Sequence, residues 1–143
     1  MATETLTDLI VRPATADDLP KLEQFIAPFV EKGKLLRRTV DELAELLDEF
    51  LVAVLDGEIV GCAALEVYSP KLAEIRSLAV SPTVQGMGVG RHLVDACVAR
   101  ARDFRILEVM AITSSEAFFL ACGFDFTLPG EKKALFIQTR EEL

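Results

Sequence analysis

Apolar residues recur along this chain with two periods, and the switches between them predict its elements. Leu9-Ile-Val-Arg-Pro13 is a short apolar run closed by proline and reads as a strand. Thr15-Ala-Asp-Asp18 then supplies cap oxygens to a helix whose Leu19, Leu22, Phe25, Ile26 and Phe29 repeat at helical spacing. Gly33 interrupts it, and Thr39-x-x-Glu42 is a capping box that opens a second helix carrying Leu43, Leu46 and Leu47. Phe50–Leu55 and Ile59–Val67 read as strands joined at Asp56-Gly57, a dipeptide suited to a tight hairpin. Leu72–Val80 is the next strand, and Leu93, Val94, Cys97, Val98 and Ala101 mark a helix packed by one face. Ile106–Ile112 is predicted as a strand, Glu116–Ala121 as a short helix ended by Gly123, and Ala134–Gln138 as a last strand. The order is helices, an antiparallel meander, then a strand–helix–strand unit, without repeats or low-complexity tracts.

Between the strand ending at Val80 and the following helix lies Ser-Pro-Thr-Val-Gln85-Gly86-Met87-Gly88-Val89-Gly90-Arg91. A helix N-terminus has bare amides and a partial positive charge, so glycines there allow a polyanion to approach closely. A Walker loop is excluded because no Gly-Lys-Ser or Gly-Lys-Thr follows, and the dinucleotide fingerprint fails because Arg91 stands where its third glycine belongs. The stretch resembles the Gln/Arg-x-x-Gly-x-Gly/Ala signature of the GNAT family of acetyl-CoA-dependent N-acetyltransferases, with Gln85, Gly88 and Gly90 in register. The flanks Glu74–Pro82 and Gly123-Phe124 are similar to that family as well. The resemblance implies an α+β, three-layer fold with a mixed, mostly antiparallel sheet, flanking helices and splayed fourth and fifth strands. It also implies acetyl-CoA as the donor. Leu78, Ala79, Val80, Gln85, Gly86, Met87, Gly88, Val89, Gly90 and Arg91 are then its contacts.

Composition narrows the setting. At 143 residues and 51% hydrophobic content the chain suits a single domain over 1–143. A formal charge of −8 disfavours nucleic acid and anionic membranes as partners, since both reward basic surfaces. Cys62, Cys97 and Cys122 show no paired spacing, which fits a reducing compartment, and with one histidine they form no zinc set, so no metal is expected. The chain start lacks a basic-then-apolar leader and no apolar run approaches the length of a membrane span, so a cytoplasmic location is expected. A homodimer is left open.

Acetyl transfer to an amine needs a neutral amine, a stabilised oxyanion and a protonated thiolate. Glu74, on the strand that leads into the glycine loop, is the candidate base. In an unbulged strand Glu74, Arg76, Leu78 and Val80 would share one face, and Glu74 and Arg76 would then be a plain surface pair. The resemblance implies a strand N–H, from Leu78 or Val80, for the oxyanion. Its common acid, a tyrosine before Gly-Phe, is replaced here by Phe118 and Phe119, which leaves Tyr68 as the lone tyrosine and Ser115 as the nearest hydroxyl. His92 reads as a surface residue, and Cys97 and Cys122 as packing residues.

Gly33–Thr39, Cys62-Ala-Ala-Leu65 and Lys71-Leu-Ala-Glu74 are further similar to the acetyltransferase domain of bacterial N-acetylglutamate synthases. That similarity implies Arg37, Arg38 and Lys71 at an amino-acid site, with Arg76 and Ser114 beside it, and a link to arginine biosynthesis. Two departures matter. The amino-acid-kinase domain of the longer synthases is missing from this sequence, so feedback through it is not expected, and Ser114 stands where an arginine often reaches the substrate carboxylate. The expected acceptor is a small amino acid, glutamate first. Another amine, a peptide, or a non-catalytic acetyl-CoA-binding module are the alternatives.

Overall fold

The computed structural model describes residues 8–127, 130 and 133–140. Two units are distinguished, one reaching to Thr113 and the other starting at Ser114. The first holds five strands: β1 (Ile10–Pro13), β2 (Phe50–Leu55), β3 (Glu58–Ser69), β4 (Leu72–Val80) and β5 (Glu108–Met110), in that order across one sheet. Neighbours β1 to β4 are antiparallel and β5 runs parallel to β4. Its helices are α1 (Leu19–Glu31), α2 (Val40–Leu46) and α3 (Val89–Asp103).

Local chemistry explains where these elements begin. Asp18 accepts from the Thr15 N–H at 2.7 Å and from both Arg12 guanidinium nitrogens at 2.7 and 2.9 Å, fixing the passage from β1 to α1. The Thr39 hydroxyl and the Glu42 carboxylate cap each other's backbone N–H, both at 3.1 Å, so the expected capping box is formed. Asp56 and Gly57 both sit at positive φ, as a primed two-residue hairpin turn requires.

The sheet separates two layers of side chains. Leu22 and Ile26 of α1 and Leu43 of α2 pack with Phe50, Val52, Cys62, Ala64 and Ala79. On the opposite face α3 approaches so closely that a Cβ on Gly61 would lie 2.8 Å from Leu93 and 3.1 Å from Val89. Only glycine admits the helix at that distance.

Two irregularities in the β3–β4 ladder decide which side chains share a face. Between Cys62↔Ala79 and Ala64↔Arg76, β4 spends one extra residue, and Ser77 takes a φ of +55°. Paired residues share a face, so Glu74, Arg76 and Ala79 lie on the α1–α2 side while Val80, opposite Gly61, lies on the α3 side. The expectation that Glu74, Arg76, Leu78 and Val80 share one face is thereby corrected. The Cys62 thiol donates to the Ser77 carbonyl at 3.3 Å and braces the bulge. A second irregularity places Tyr68 between Val67↔Ala73 and Ser69↔Leu72 with no opposing residue.

The splay expected between the fourth and fifth strands is present. β4 pairs with β5 only through Leu72, Ala73 and Glu74, and from Ile75 onward that edge has no β5 partner. The strand expected over Ile106–Ile112 is therefore short, because a strand persists only where a ladder satisfies its backbone.

In the second unit α4 (Glu116–Ala121) starts after Ser115 and ends at Gly123, whose φ is +95°. Phe119 stacks edge-on with Phe118 and Phe124. The strand expected over Ala134–Gln138 is not formed: these residues are irregular, and Leu135, Phe136 and Ile137 are exposed. Apolar content alone does not make a strand without a ladder partner.

Candidate active site

The cofactor loop is built almost entirely from main chain. After β4, the Ser81 hydroxyl accepts from the Thr83 N–H at 3.3 Å and caps a 3-10 turn over Pro82–Val84. Val84 and the first residue of α3, Val89, are buried and anchor the loop on both sides. Between them Gly86 and Gly88 take φ of +82° and +85°, and a Cβ on either would meet nothing within 4 Å. The glycines are thus required for backbone conformation, and the space around them is open. Val89 and Gly90 open the 15-residue α3, a helix end where amides lack intrahelical partners, and Arg91 follows them. Open glycines beside a helix N-terminus fit a diphosphate. Gln85 and Arg91 are exposed at the rim, and Arg91 Nε lies 3.8 Å from Asp95. His92 is exposed, as expected of a surface histidine.

Beside this loop is the splayed edge of β4. The Ser81 N–H donates to the Val60 carbonyl of β3 at 2.8 Å. Successive strand residues turn their N–H groups to opposite edges, so the Val80 N–H points away from β3 into the gap. Leu78 lies next to the Ser77 bulge, and the gap therefore has its main-chain donors at the end of β4 that runs into the loop.

Glu74 is 8% exposed and lies directly opposite Glu66 across β3 and β4. It does not pair with Arg76, whose guanidinium donates to Glu66 at 2.7 Å and holds that carboxyl below its usual range. The plain surface pair is thus not what forms. Instead the Tyr68 hydroxyl is 2.5 Å from Glu74 Oε1 and 3.2 Å from Glu66 Oε2. Its hydrogen bond to Glu74, aided by desolvation and by both carboxylate charges, pushes the phenol up to about 12. Glu49 adds a third carboxyl, raised first by burial and then by Glu66, and lowered in turn by Arg38 and Arg76. Arg38, Glu49, Glu66, Arg76, Tyr68 and Glu74 therefore form one charged wall.

Of the residues expected at the amino-acid site, Arg37 and Arg38 line one cavity of about 120 Å³ with Glu23, Ile26, Val30 and Leu43. Lys71 is exposed at the β3–β4 hairpin tip, where its N–H donates to the Ser69 hydroxyl at 3.1 Å. The lining of that cavity does not include Lys71. Ser114 and Ser115 belong to the second unit, and the Ser115 carbonyl accepts the Phe118 N–H at 3.1 Å. Burial lifts the Cys62 and Cys97 thiols to about 12, so neither is a nucleophile, and among the described residues no metal-binding cluster occurs. No helix among the described residues is long and apolar enough to cross a membrane.

Sequence reasoning overlooked Glu49, Glu66 and the Tyr68 bridge. Counting back from Ser69↔Leu72 in a regular ladder would set Val67 opposite Glu74; both the Glu66–Glu74 pairing and the bridging position of Tyr68 depend on a bulge that leaves no sequence mark.

A splayed sheet edge with outward main-chain donors, running into a glycine-built anion cradle, defines an acyltransferase of the coenzyme A-dependent kind. The chain belongs to the acetyltransferase (GNAT) family, whose model matches residues 16–124. It is 37% identical over 118 residues to an amino-acid acetyltransferase of Mycobacterium tuberculosis, covering 80% of this chain and 67% of that protein. The crystal structure of Rv2747 from Mycobacterium tuberculosis in complex with CoA and NLQ superposes with a TM-score of 0.76 at 34% identity, over 91% of this chain and 76% of that one. N-acetylglutamate synthase from Neisseria gonorrhoeae, complexed with coenzyme A and N-acetyl-glutamate, gives a TM-score of 0.73 at 32% identity. That match covers 84% of this chain but 28% of the synthase. The protein is an acetyl-CoA-dependent N-acetyltransferase.

Proposed function

We propose that the acceptor is the α-amine of a small amino acid, with L-glutamate the first candidate. The observation that carries the reading is the buried Glu74 carboxylate on the strand that runs into the cofactor loop. An α-amine is largely protonated at neutral pH, so a base beside it raises the fraction able to attack. Glu74 takes that proton. Acetyl-CoA, when bound, supplies an activated thioester carbonyl and a thiolate leaving group. The loop from Gln85 to Arg91 holds its diphosphate, Ala79 flanks its arm, and the Leu78 or Val80 N–H faces the developing oxyanion. A thiolate leaves with solvent protonation, and the acid role is left open. Arg37, Arg38 and Lys71 bind carboxylate, with Arg76 at the margin.

A second reading, an amino acid with an uncharged side chain, is favoured by one feature. Arg76 is already ion-paired with Glu66, and Glu49 stands beside Arg38, so a substrate with two carboxylates faces acidic neighbours. Thiol release measured with purified protein over free amino acids and peptides separates the cases. Turnover of glutamate supports the first reading and a role in arginine biosynthesis, and preference for glutamine or another neutral amino acid supports the second. Turnover of peptides alone, or CoA binding without turnover, overturns both.

A further inference from the structure

Like charges directly opposite on neighbouring strands destabilise a sheet, yet Glu66 and Glu74 are paired in this way. Two groups compensate. Arg76 clamps Glu66, and the Tyr68 hydroxyl reaches both carboxylates. A phenol has one proton to donate, and the shorter contact assigns it to Glu74. Tyr68 can stand there because it is the extra residue of a bulge in β3, and a bulge re-aims the side chain it carries.

We propose that Tyr68 is a positioning residue for acetyl transfer: its hydroxyl donates to Glu74 Oε1, holds that carboxylate in one orientation, and leaves Oε2 to accept the proton of the amine. The inference rests on the reading of Glu74 as the base. Tyr68 serves as a fixed donor rather than a proton shuttle, because its phenol stays protonated throughout the neutral range. The wall around Glu74 consists of Glu66 and Tyr68 from β3, Arg76 from β4, and Arg38 and Glu49 beyond Glu66, while β5 sets Met110 opposite Glu74. Of these, Tyr68 is the group that donates to Glu74.

The test compares Tyr68→Phe and Glu74→Gln, alone and combined, by kcat and KM with the best amine of the panel. Without that donor the carboxylate is free to turn, so Y68F is expected to lower kcat about tenfold while the KM for the amine is kept. The calorimetric affinity for CoA stays unchanged, which shows that the half-exposed position tolerates the change. E74Q lowers kcat more strongly, and adding Y68F to E74Q has no further effect. Wild-type kcat in Y68F, with E74Q slow, overturns the inference and leaves the base reading standing. Equal losses from Y68F with and without Glu74 do the same. Wild-type kcat in E74Q overturns both.

Discussion

The cofactor loop and the charged wall of β3 and β4 lie in one unit of the chain but are made of different materials. The loop presents main-chain amides, set by Gly86 and Gly88 at positive φ and by the first turn of α3. The wall presents side chains from positions 38, 49, 66, 68, 74 and 76, gathered by strand register. A main-chain site is contiguous in sequence and tolerates varied side chains, whereas a side-chain site is scattered and depends on every register shift beneath it.

The comparison breaks most readily at Gly88. A β-branched residue at a φ of +85° costs about 1 to 2 kcal/mol in strain, or tilts the first turn of α3 away from the loop. Gly88→Val is therefore expected to raise the apparent KM for acetyl-CoA about tenfold while the KM for the amine stays constant. An unchanged donor KM would show that the loop is not the diphosphate site. Arg38→Ala probes the other material: the acceptor KM is expected to rise about fivefold, with donor KM unaffected. Equal shifts in both constants would remove the division of labour between loop and wall.

Outside both regions, Asp18→Asn should change stability alone. The carboxylate loses its Arg12 fork, and about 2 kcal/mol is expected from denaturant unfolding with steady-state constants unaltered. The Arg12 hydrogen bonds hold the folded Asp18 well below the usual carboxylate range, so its contribution is complete above the unfolded value near pH 4 and fades as pH falls. The gap between wild type and D18N should accordingly narrow in acid. A gap that stays constant down to pH 2 would mean that the ion pair is not its source.

Much of the scaffold could be read from the chain because its signals are local. The Thr39–Glu42 box, the Asp56-Gly57 hairpin and the periodic face of α3 each depend on residues within one or two turns of each other, and all three formed. The losses were non-local. The strand expected after α3 shortened to Glu108–Met110 because β4 leaves it, and Ala134–Gln138 found no ladder. At the site, the pairing of Glu74 with Arg76 gave way to Arg76 with Glu66 and Glu74 with Tyr68, since two bulges changed which side chains meet.

By itself the sequence determined the glycine loop and the element order, because glycine spacing, caps and hydrophobic periods act over a few residues and fix main-chain conformation directly. Tertiary structure alone decided the charged wall. Which carboxylate is clamped by arginine, which is bridged by tyrosine and which amide faces the gap follow from the register of β3 on β4, and one extra residue in a strand turns each later side chain to the other face.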